Sequence, residues 1–284
     1  MSNRARVQPH PSPISDITRP IPPGIDNALQ QFASHSLADL DKATLMNRVD
    51  TKYIVPIAVL EAILERLPQS YSALQIGNKK CFRYESTYFD TNDYLFYYLH
   101  HGGKLNRYKV RQRHYVDSNT QFLEVKFKNN KKRTLKQRIE LSSDCDNSIE
   151  QHQEFLRGLN VPQAHSLQPI LKNSYQRIAL ASEERGERLT IDLNLSNQSL
   201  SEQPNQQLRT DFAIVELKQA RADRNSPFVS LARKFGLRPS SFSKYCMGMT
   251  FTQNNNDLKT NRFKPILRRL KRLNHSPSSE FVLC

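Results

Sequence analysis

The chain has 284 residues, with no tryptophan, only 8 glycines and only 4 cysteines. No stretch approaches the roughly 20 consecutive apolar residues of a membrane-spanning helix, which excludes a transmembrane protein. The cysteines form no CxxC pair, so neither a disulfide scaffold nor a zinc site is indicated. The few glycines form neither a GxxxxGK[ST] loop nor a kinase glycine loop, which excludes those nucleotide sites. The N-terminal segment lacks the apolar centre of a secretory signal, so we expect a cytoplasmic protein.

Acidic residues are also few: the chain has 27 Asp and Glu against 42 Lys and Arg, which gives a net charge of +15. The excess is concentrated in two blocks. Residues 104–138 hold twelve Lys and Arg against two acids, and residues 259–272 hold seven and no acid. Two dense blocks indicate an anionic partner, whereas an evenly basic surface would indicate only solubility.

The chain divides into three parts by composition. Residues 1–35 are rich in Pro, Ser and Asn and are predicted to be a flexible tail. Residues 36–252 form the main domain, and residues 253–284 a basic helix and tail. Apolar residues at helical spacing predict helices at 37–47, 56–67, 148–158, 228–237 and 263–273. His100 and His101 precede two glycines and are predicted to lie in a solvated turn, because no third metal ligand is nearby.

Strands outnumber helices. Extended patterns predict them over 48–55 and 82–91, and alternation of polar and apolar residues predicts them over 107–115, 122–128, 134–141, 172–180, 188–195 and 212–218. Most connections are too short for a parallel crossover, so the sheet is mainly antiparallel and the fold class is α+β.

Cations recur on one face of these strands, as at Lys109, Arg111 and Arg113. For any one strand this is typical of an ordinary sheet with one solvated face. Across six or more strands, however, a flat face carrying so many cations would repel itself. A barrel with the polar face inward would instead line a tunnel with cations that a polyanion neutralises. Lys136, Arg138 and Lys218 lie on the same face and are candidates for phosphate binding.

Three acids interrupt the cationic faces: Glu124, Asp192 and Glu216. Each could be an ion-pair partner for a neighbouring cation, a role that is as plausible as any other for Glu124. A hard divalent cation, Mn²⁺ or Mg²⁺, would instead need these oxygen ligands to bridge phosphate oxygens. Glu216 is the stronger metal-ligand candidate and Asp192 the second.

A set of short motifs resembles a known family. They are Asp50-Thr-Lys52-Tyr53, Ser86-Thr-Tyr88-Phe89-Asp90-Thr91, Lys109-Val-Arg111-Gln-Arg113-His-Tyr115, Glu124-Val-Lys126, Tyr175-Gln-Arg177, Arg188-Leu-Thr-Ile-Asp192, Glu216-Leu-Lys218 and Ser243-Lys244-Tyr245. Their order over residues 37–250 is similar to the VTC domain, the polyphosphate polymerase family of the triphosphate tunnel metalloenzymes. The chain departs from that family in having His114 after the paired arginines and a more basic loop at 128–133, which leaves substrate preference open.

The resemblance implies an antiparallel eight-stranded β-barrel tunnel flanked by helices. It implies a catalytic set of Lys52, Arg111, Arg113, Lys126 and Glu216. It implies further phosphate contacts at Tyr175, Arg177, Arg188, Ser243 and Lys244, beside Lys109 and Lys136. The reaction implied is transfer of the ATP γ-phosphoryl group onto a polyphosphate chain, with Mn²⁺ or Mg²⁺ as cofactor.

Three functions stay open on the residues alone: a metal-dependent polyphosphate polymerase, a tunnel triphosphatase or nucleotide hydrolase, and a non-catalytic polyphosphate-binding protein. The acids argue against the third. Specific nucleic-acid binding is disfavoured because the basic strands lack interleaved aromatic stacking platforms. Residues 259–273 form a basic amphipathic helix. It could associate peripherally with an anionic membrane or a membrane partner, or dock on the barrel with its basic side in solvent.

Overall fold

The structure is a computed structural model that describes residues 19–42, 48–142, 148–200, 211–252 and 258–275. The strands are β1 (Ser34–His35), β2 (Val49–Pro56), β3 (Ser72–Leu74), β4 (Cys81–Asp90), β5 (Arg107–Tyr115), β6 (Thr120–Lys128), β7 (Thr134–Leu141), β8 (Gln168–Ser182), β9 (Glu187–Ser199) and β10 (Phe212–Gln219). The helices are α1 (Pro23–Gln30), α2 (Leu37–Lys42), α3 (Ile57–Leu64), α4 (Leu95–His101), α5 (Gln153–Gly158), α6 (Pro227–Lys234), α7 (Lys244–Thr252) and α8 (Lys264–His275). Every predicted strand is present, with boundaries that shift by a few residues.

All ten strands belong to one sheet, whose main path runs β2-β10-β9-β8-β4-β5-β6-β7. Each neighbouring pair on this path is antiparallel. The short β3 joins β8, and β1 pairs with β3 in parallel. The prediction of an α+β fold with an antiparallel sheet is therefore confirmed. Closure into an eight-stranded barrel is not, because the sheet has ten strands and, in the described part of the chain, its outer strands β2 and β7 do not pair.

The apolar side of the alternating strands forms the core beneath the helices. One cluster packs Ile191 and Val215 of the sheet against Leu60 and Ile63 of α3, with α1 and α6 alongside. A second cluster packs Val110, Leu123 and Val125 under α4 and α5. Because successive side chains of a strand point to opposite faces, burying the aliphatic residues turns the charged ones to the other side of the sheet.

A third cluster lies on that other side, at one end of the strands. Here α7, with six of its nine residues buried, packs against Ile54, Tyr88 and Ile214. These three side chains stand on the same strand faces as the cations. The charged face is therefore covered at one end by apolar packing, which confines the charged residues to the remainder.

The N-terminal segment is more ordered than its composition predicts. Residues 1–35 were expected to be a flexible tail, yet Pro23–Gln30 is a helix that buries Ile25, Ala28 and Leu29. Proline at the start of this helix suits its first turn, where no backbone N–H is needed. The i, i+3, i+4 spacing of the buried residues was the available signal, in a segment whose proline content dominated the prediction. Residues 1–18 lie outside the described residues.

The basic C-terminal helix docks on the domain. Phe263 and Leu270 are buried, and Ile266, Leu267 and Leu273 pack against the cluster around α7. Of the two arrangements that the sequence leaves open, the structure has the one in which the apolar side meets the core. In the described residues no helix is long and apolar enough to cross a membrane.

Candidate functional site

A cavity of about 270 Å³ lies on the charged side of the sheet. All eight strands of the main path contribute to its wall, together with residues just before and at the start of α7. The lining residues are Arg48, Asp50, Lys52, Tyr88, Lys109, Arg111, Arg113, Lys126, Lys136, Tyr175, Arg177, Asp192, Ile214, Glu216, Lys218, Phe242, Ser243 and Lys244. The sheet is thus strongly curved around one site, although in the part of the chain that the structure describes its outer strands do not pair with each other.

Cross-strand register explains how distant residues meet here. Lys109 of β5 lies opposite Lys126 of β6, which lies opposite Lys136 of β7. On the other side of the cavity, Lys52 of β2 lies opposite Glu216 of β10. Directly opposed side chains on one face stand about 5 Å apart, so each row of the sheet places its charges together.

The lining holds ten Lys and Arg residues against three acids, a net charge of +7. So many cations in one cavity repel each other unless an anion joins them. The repulsion is visible at Lys126, whose pKa is lowered well below its usual value by Arg111, by burial and by Arg113. Burial and nearby cations, Lys52 and Arg107 among them, also lower the pKa of Lys109 to about 8. A ligand rich in negative charge would relieve this repulsion.

Glu124 supports the cationic wall from beneath. It is fully buried, and its Oε2 accepts from Arg111 Nε at 2.8 Å and Nη2 at 2.6 Å. Its Oε1 lies 2.5 Å from Lys136 Nζ. Burial alone would raise the pKa of Glu124, but Arg111, Arg113 and Lys136 hold it far below its usual range. Of the roles open to this residue, the structure shows the ion-pair partner.

Asp192 is likewise held in ion pairs through both of its carboxylate oxygens. Arg177 donates from Nε to Oδ1 at 2.6 Å and from Nη2 to Oδ2 at 2.9 Å, and Lys244 donates to Oδ2. Burial would raise the pKa of Asp192, but Arg177 and Lys244 hold it well below its usual value. Both oxygens already have strong donors, so Asp192 orients Arg177 and Lys244 and is poorly placed to bind a metal.

Glu216 is the less committed carboxylate. Its ion pairs are longer, at 3.7 Å to Lys52 Nζ and 3.4 Å to Lys218 Nζ. Burial would raise its pKa, but Lys218 and Lys52 lower it to about 2, so the group is ionised at neutral pH. Among the described residues no three His, Cys, Asp or Glu side chains are grouped as a metal site. Mg²⁺ commonly binds through one or two carboxylates plus substrate phosphates, and Glu216 fits that mode but not an all-protein cage.

Tyr175 offers a further polar group to the cavity. It is 1% exposed, and its ring is stacked 5.4 Å from that of Tyr84. The Nζ of Lys244 stands 4.5 Å from the ring centroid. Within the described residues the Tyr175 hydroxyl has no hydrogen-bond partner. A buried hydroxyl without a partner is costly, so a ligand oxygen that accepts from it would be favoured.

Ser243 lies just before α7 and contacts Lys109 of strand β5 across the cavity. Lys109 Nζ donates to Ser243 Oγ at 3.0 Å, and the same Oγ accepts the backbone N–H of Cys246 at 3.3 Å. The hydroxyl therefore sits between the cationic wall and the first turn of the helix. This placement suits a contact to phosphate, since a helix N-terminus favours negative charge.

Two predicted site residues lie outside the cavity lining. Arg138 stacks its guanidinium 4.5 Å from the ring centroid of Phe122, on the exposed strand β7. Arg188 stands opposite Lys218 in the β9–β10 register, near the beginning of β9. Alternation correctly assigns both to the charged face, but it carries no information on position along the strand relative to the cavity.

Five lining residues were not singled out as site residues: Arg48, Asp50, Tyr88, Ile214 and Phe242. Arg48 Nε donates to Asp50 Oδ1 at 2.8 Å, so this pair partly neutralises itself. The period-two pattern of Lys52 extends back to both, which was the available signal. No such signal pointed to Phe242, because it lies on no strand.

His100 and His101 also differ from expectation. They end helix α4 instead of lying in a solvated turn, and burial with nearby cations lowers the pKa of His100 to about 2.

Together, the antiparallel sheet and the cationic cavity form a site whose charge suits a compact polyanion. The profile of the VTC domain family matches residues 47–253, and the chain belongs to that family. The resemblance drawn from the motifs is therefore confirmed. A comparison with curated proteins finds no match.

Solved structures give distant similarities. A candidate adenylyl cyclase of Hippeastrum, described with a dominant triphosphatase activity, matches with TM-score 0.44 and 13% identity, over 75% of this chain and 100% of that one. A candidate adenylate cyclase of Bacillus halodurans matches with TM-score 0.41 and 14% identity, over 76% and 97%. One from Vibrio parahaemolyticus matches with TM-score 0.41 and 14% identity, over 72% and 98%. These values are too low to carry any property over to this chain.

Proposed function

We propose that this protein is a metal-dependent polyphosphate polymerase that transfers the γ-phosphoryl group of ATP to a polyphosphate chain held in the cavity. The observation that carries the proposal is the net charge of +7 on a lining to which all eight strands of the main path contribute. Membership of the VTC domain family supports it. On this proposal the curved sheet acts as a tunnel, with phosphate bridging the gap between β2 and β7.

The size of the cavity supports binding of the phosphates rather than of the whole nucleotide. Pockets that enclose a drug-sized ligand typically measure about 300–1,000 Å³, and this one is about 270 Å³. Its lining is mostly charged, with Ile214 and Phe242 among its few apolar side chains, which suits phosphates better than a nucleoside. The triphosphate would enter the cavity and leave the nucleoside towards the opening.

Phosphoryl transfer asks the protein mainly for alignment and for positive charge around the transferring group. Arg111 and Arg113, two residues apart on β5, project side by side into the cavity and would grip non-bridging oxygens. Arg111 is held rigidly by Glu124, and Arg177 by Asp192, so little reorganisation is needed when phosphate binds. Lys52 and Lys126 would offset the charge that develops on the leaving group.

Glu216 is the residue that would hold a divalent ion, with phosphate oxygens completing the coordination. Such an ion, when bound, withdraws charge from the phosphoryl oxygens. The Lys52 and Lys218 ammonium groups stand 3.7 and 3.4 Å from the carboxylate and keep it ionised. In the free protein they neutralise part of its charge.

The test is a product analysis. Purified protein is incubated with ATP and Mn²⁺, and the products are resolved on a gel stained for polyphosphate. Chains that lengthen with time, with ADP released, support the polymerase. Free phosphate without chains would overturn it in favour of water as acceptor, and the absence of ADP would overturn catalysis altogether.

Glu216→Gln tests the metal assignment in the same assay. The variant should lose metal-dependent turnover and still bind polyphosphate as tightly as the wild type or more so, because a negative charge leaves the lining. Glu140→Gln, an exposed carboxylate on β7, is the matched control and should leave turnover unchanged. Retained turnover in Glu216→Gln would refute the assignment.

A further inference from the structure

The two basic blocks, separated by more than a hundred residues in sequence, meet in the structure. Arg262 Nη1 donates to the carbonyl oxygen of His101 at 3.3 Å. Its guanidinium lies against Gly103, where any Cβ would collide with it, and Gly103 has a φ of +70° that suits glycine. The turn that leads into β5 is therefore built against the beginning of the C-terminal basic block.

Further cations lie next to this contact, at the adjoining ends of β5 and β6. Arg107 begins β5 and lies directly opposite Lys128, which ends β6. Burial chiefly lowers the pKa of Arg107, and Arg262 adds to the effect. Burial likewise lowers the pKa of Lys128, with contributions from Arg107 and Lys132. The geometry agrees: Arg107 and Lys128 are neighbours across the β5–β6 register, and Arg262 contacts the turn just before β5. Lys132 lies in the turn that directly follows β6, where its backbone N–H donates to the Asn129 carbonyl oxygen. With the adjacent, exposed Lys264 these four cations form what we call the basic shelf: Arg107, Lys128, Lys132, Arg262 and Lys264.

The basic shelf continues the wall of the cavity. Arg107 precedes Lys109 by two residues on the same face of β5, and Lys128 follows Lys126 by two on the same face of β6. Lys109 and Lys126 line the cavity, whereas the shelf residues lie beyond it. The segments 104–109, 126–136 and 258–275 contain no Asp or Glu. An anionic chain leaving the cavity along these strands would therefore meet cations and no carboxylate of these segments.

We propose that the basic shelf binds the part of a polyphosphate chain that extends out of the cavity. This rests on the proposed function for the identity of the chain, and it adds a binding surface outside the cavity. Arg262 and Lys264 lie beyond residues 47–253, so this surface includes part of the chain outside the family match.

A polyphosphate chain fits this surface better than a membrane does. The apolar residues that could enter a bilayer, on α8 and just before it, are packed on the core: Leu270 is only 2% exposed and Phe263 only 6%. Peripheral helices that bind membranes rely on a free apolar side in addition to their charge. The shelf instead offers a line of cations continuous with the cavity, which matches a linear polyanion.

Chain-length dependence tests the proposal. Binding of inorganic triphosphate, which the cavity can hold alone, is compared with binding of polyphosphate of about 100 units at fixed ionic strength. The shelf variant is Lys132→Asn with Arg262→Gln and Lys264→Gln. Asn is chosen because Lys132 has a φ of +61°, a conformation that Asn tolerates. The matched control removes three exposed cations elsewhere: Arg233→Gln, Lys234→Gln and Arg238→Gln.

The shelf variant should bind the long chain about tenfold or more weakly and with a shallower salt dependence, because phosphate contacts outside the cavity are lost. Its affinity for triphosphate should match that of the wild type, and the control should retain both. Equal losses for both probes, or no loss for the long chain, would overturn the proposal. So would reduced sedimentation with phosphatidylserine vesicles at unchanged long-chain affinity.

The proposed function can fail separately. If the wild type binds triphosphate but makes no chains from ATP, the polymerase is refuted while the length comparison still decides the shelf. If the wild type binds long and short chains with equal affinity, the shelf is refuted whatever the ATP assay yields.

Discussion

Replacing Glu124 by Gln should destabilise the protein strongly. The change keeps the shape of the side chain but removes its charge at a position that is fully buried. Three cations converge on this carboxylate: Arg111 at 2.6 Å, Lys136 at 2.5 Å and Arg113 at 3.9 Å. Without it they are left together with no counter-charge.

The magnitude depends on which of these cations can reach water instead. The side chain of Lys136 is 39% exposed and can turn into solvent, whereas those of Arg111 and Arg113 are 11% and 9% exposed and cannot. Removing one partner of a buried ion pair costs about 3–5 kcal/mol, because the remaining charge stays desolvated. Set against a total stability of about 5–15 kcal/mol for a domain, this is a large fraction.

Urea unfolding at pH 7, followed by circular dichroism, measures the effect. Glu140→Gln on the exposed strand β7 is the control and should change the free energy of unfolding by no more than about 0.5 kcal/mol. Triphosphate should raise the unfolding midpoint of Glu124→Gln more than that of the wild type, because it supplies the missing negative charge. A loss below about 1 kcal/mol would refute the reasoning.

Two further predictions concern the cavity wall and the helix that covers its end. The pKa of Lys109 is lowered to about 8, so raising the pH from 7 to 9 removes its charge and should weaken triphosphate binding. Lys109→Arg keeps its charge over this range and should flatten the profile measured by calorimetry; parallel profiles would contradict this. Asp90, fully buried, accepts the backbone N–H groups of Thr91, Phe96 and Tyr97 and the hydroxyl of Tyr245 on α7. Asp90→Asn should therefore cost about 1–3 kcal/mol in urea unfolding, and an unchanged midpoint would show that these bonds contribute little.

Local pattern was enough to predict most of the strands. In β9, Leu189, Ile191 and Leu193 alternate with polar residues, and all three are buried in the cluster beneath α3 as the period-two rule requires. Leu195 instead joins the cluster around α7, because the pairing of β8 with β9 is irregular just before it. The helix α1 was missed because its few apolar residues stand in a segment dominated by proline and polar side chains. Helix α7 was missed because its buried residues, Tyr245 to Met249 and Thr252, lie on all of its sides, so that periodicity gave no signal.

The residues of the candidate site were predictable from the sequence, but the ion pairs that each carboxylate forms were not. Charge alternation placed Lys126, Asp192 and Glu216 on one face, and the structure brings all three into the cavity. It could not say that Asp192 is held by Arg177 and Lys244 while Glu216 keeps longer contacts. That difference arises from register between strands far apart in sequence, which no local pattern encodes.

The sequence by itself determined that the protein is an antiparallel α+β domain with cations on one strand face, because side-chain direction in a strand depends only on parity along the chain. Only the tertiary structure decided three things. Among the described residues, it left β2 and β7 unpaired with each other and covered one end of the cavity with α7. It also brought Arg262 from one basic block against the turn before the other. Each depends on contacts across long sequence separations, where curvature and packing, rather than the alternation of residues, set which charges become neighbours.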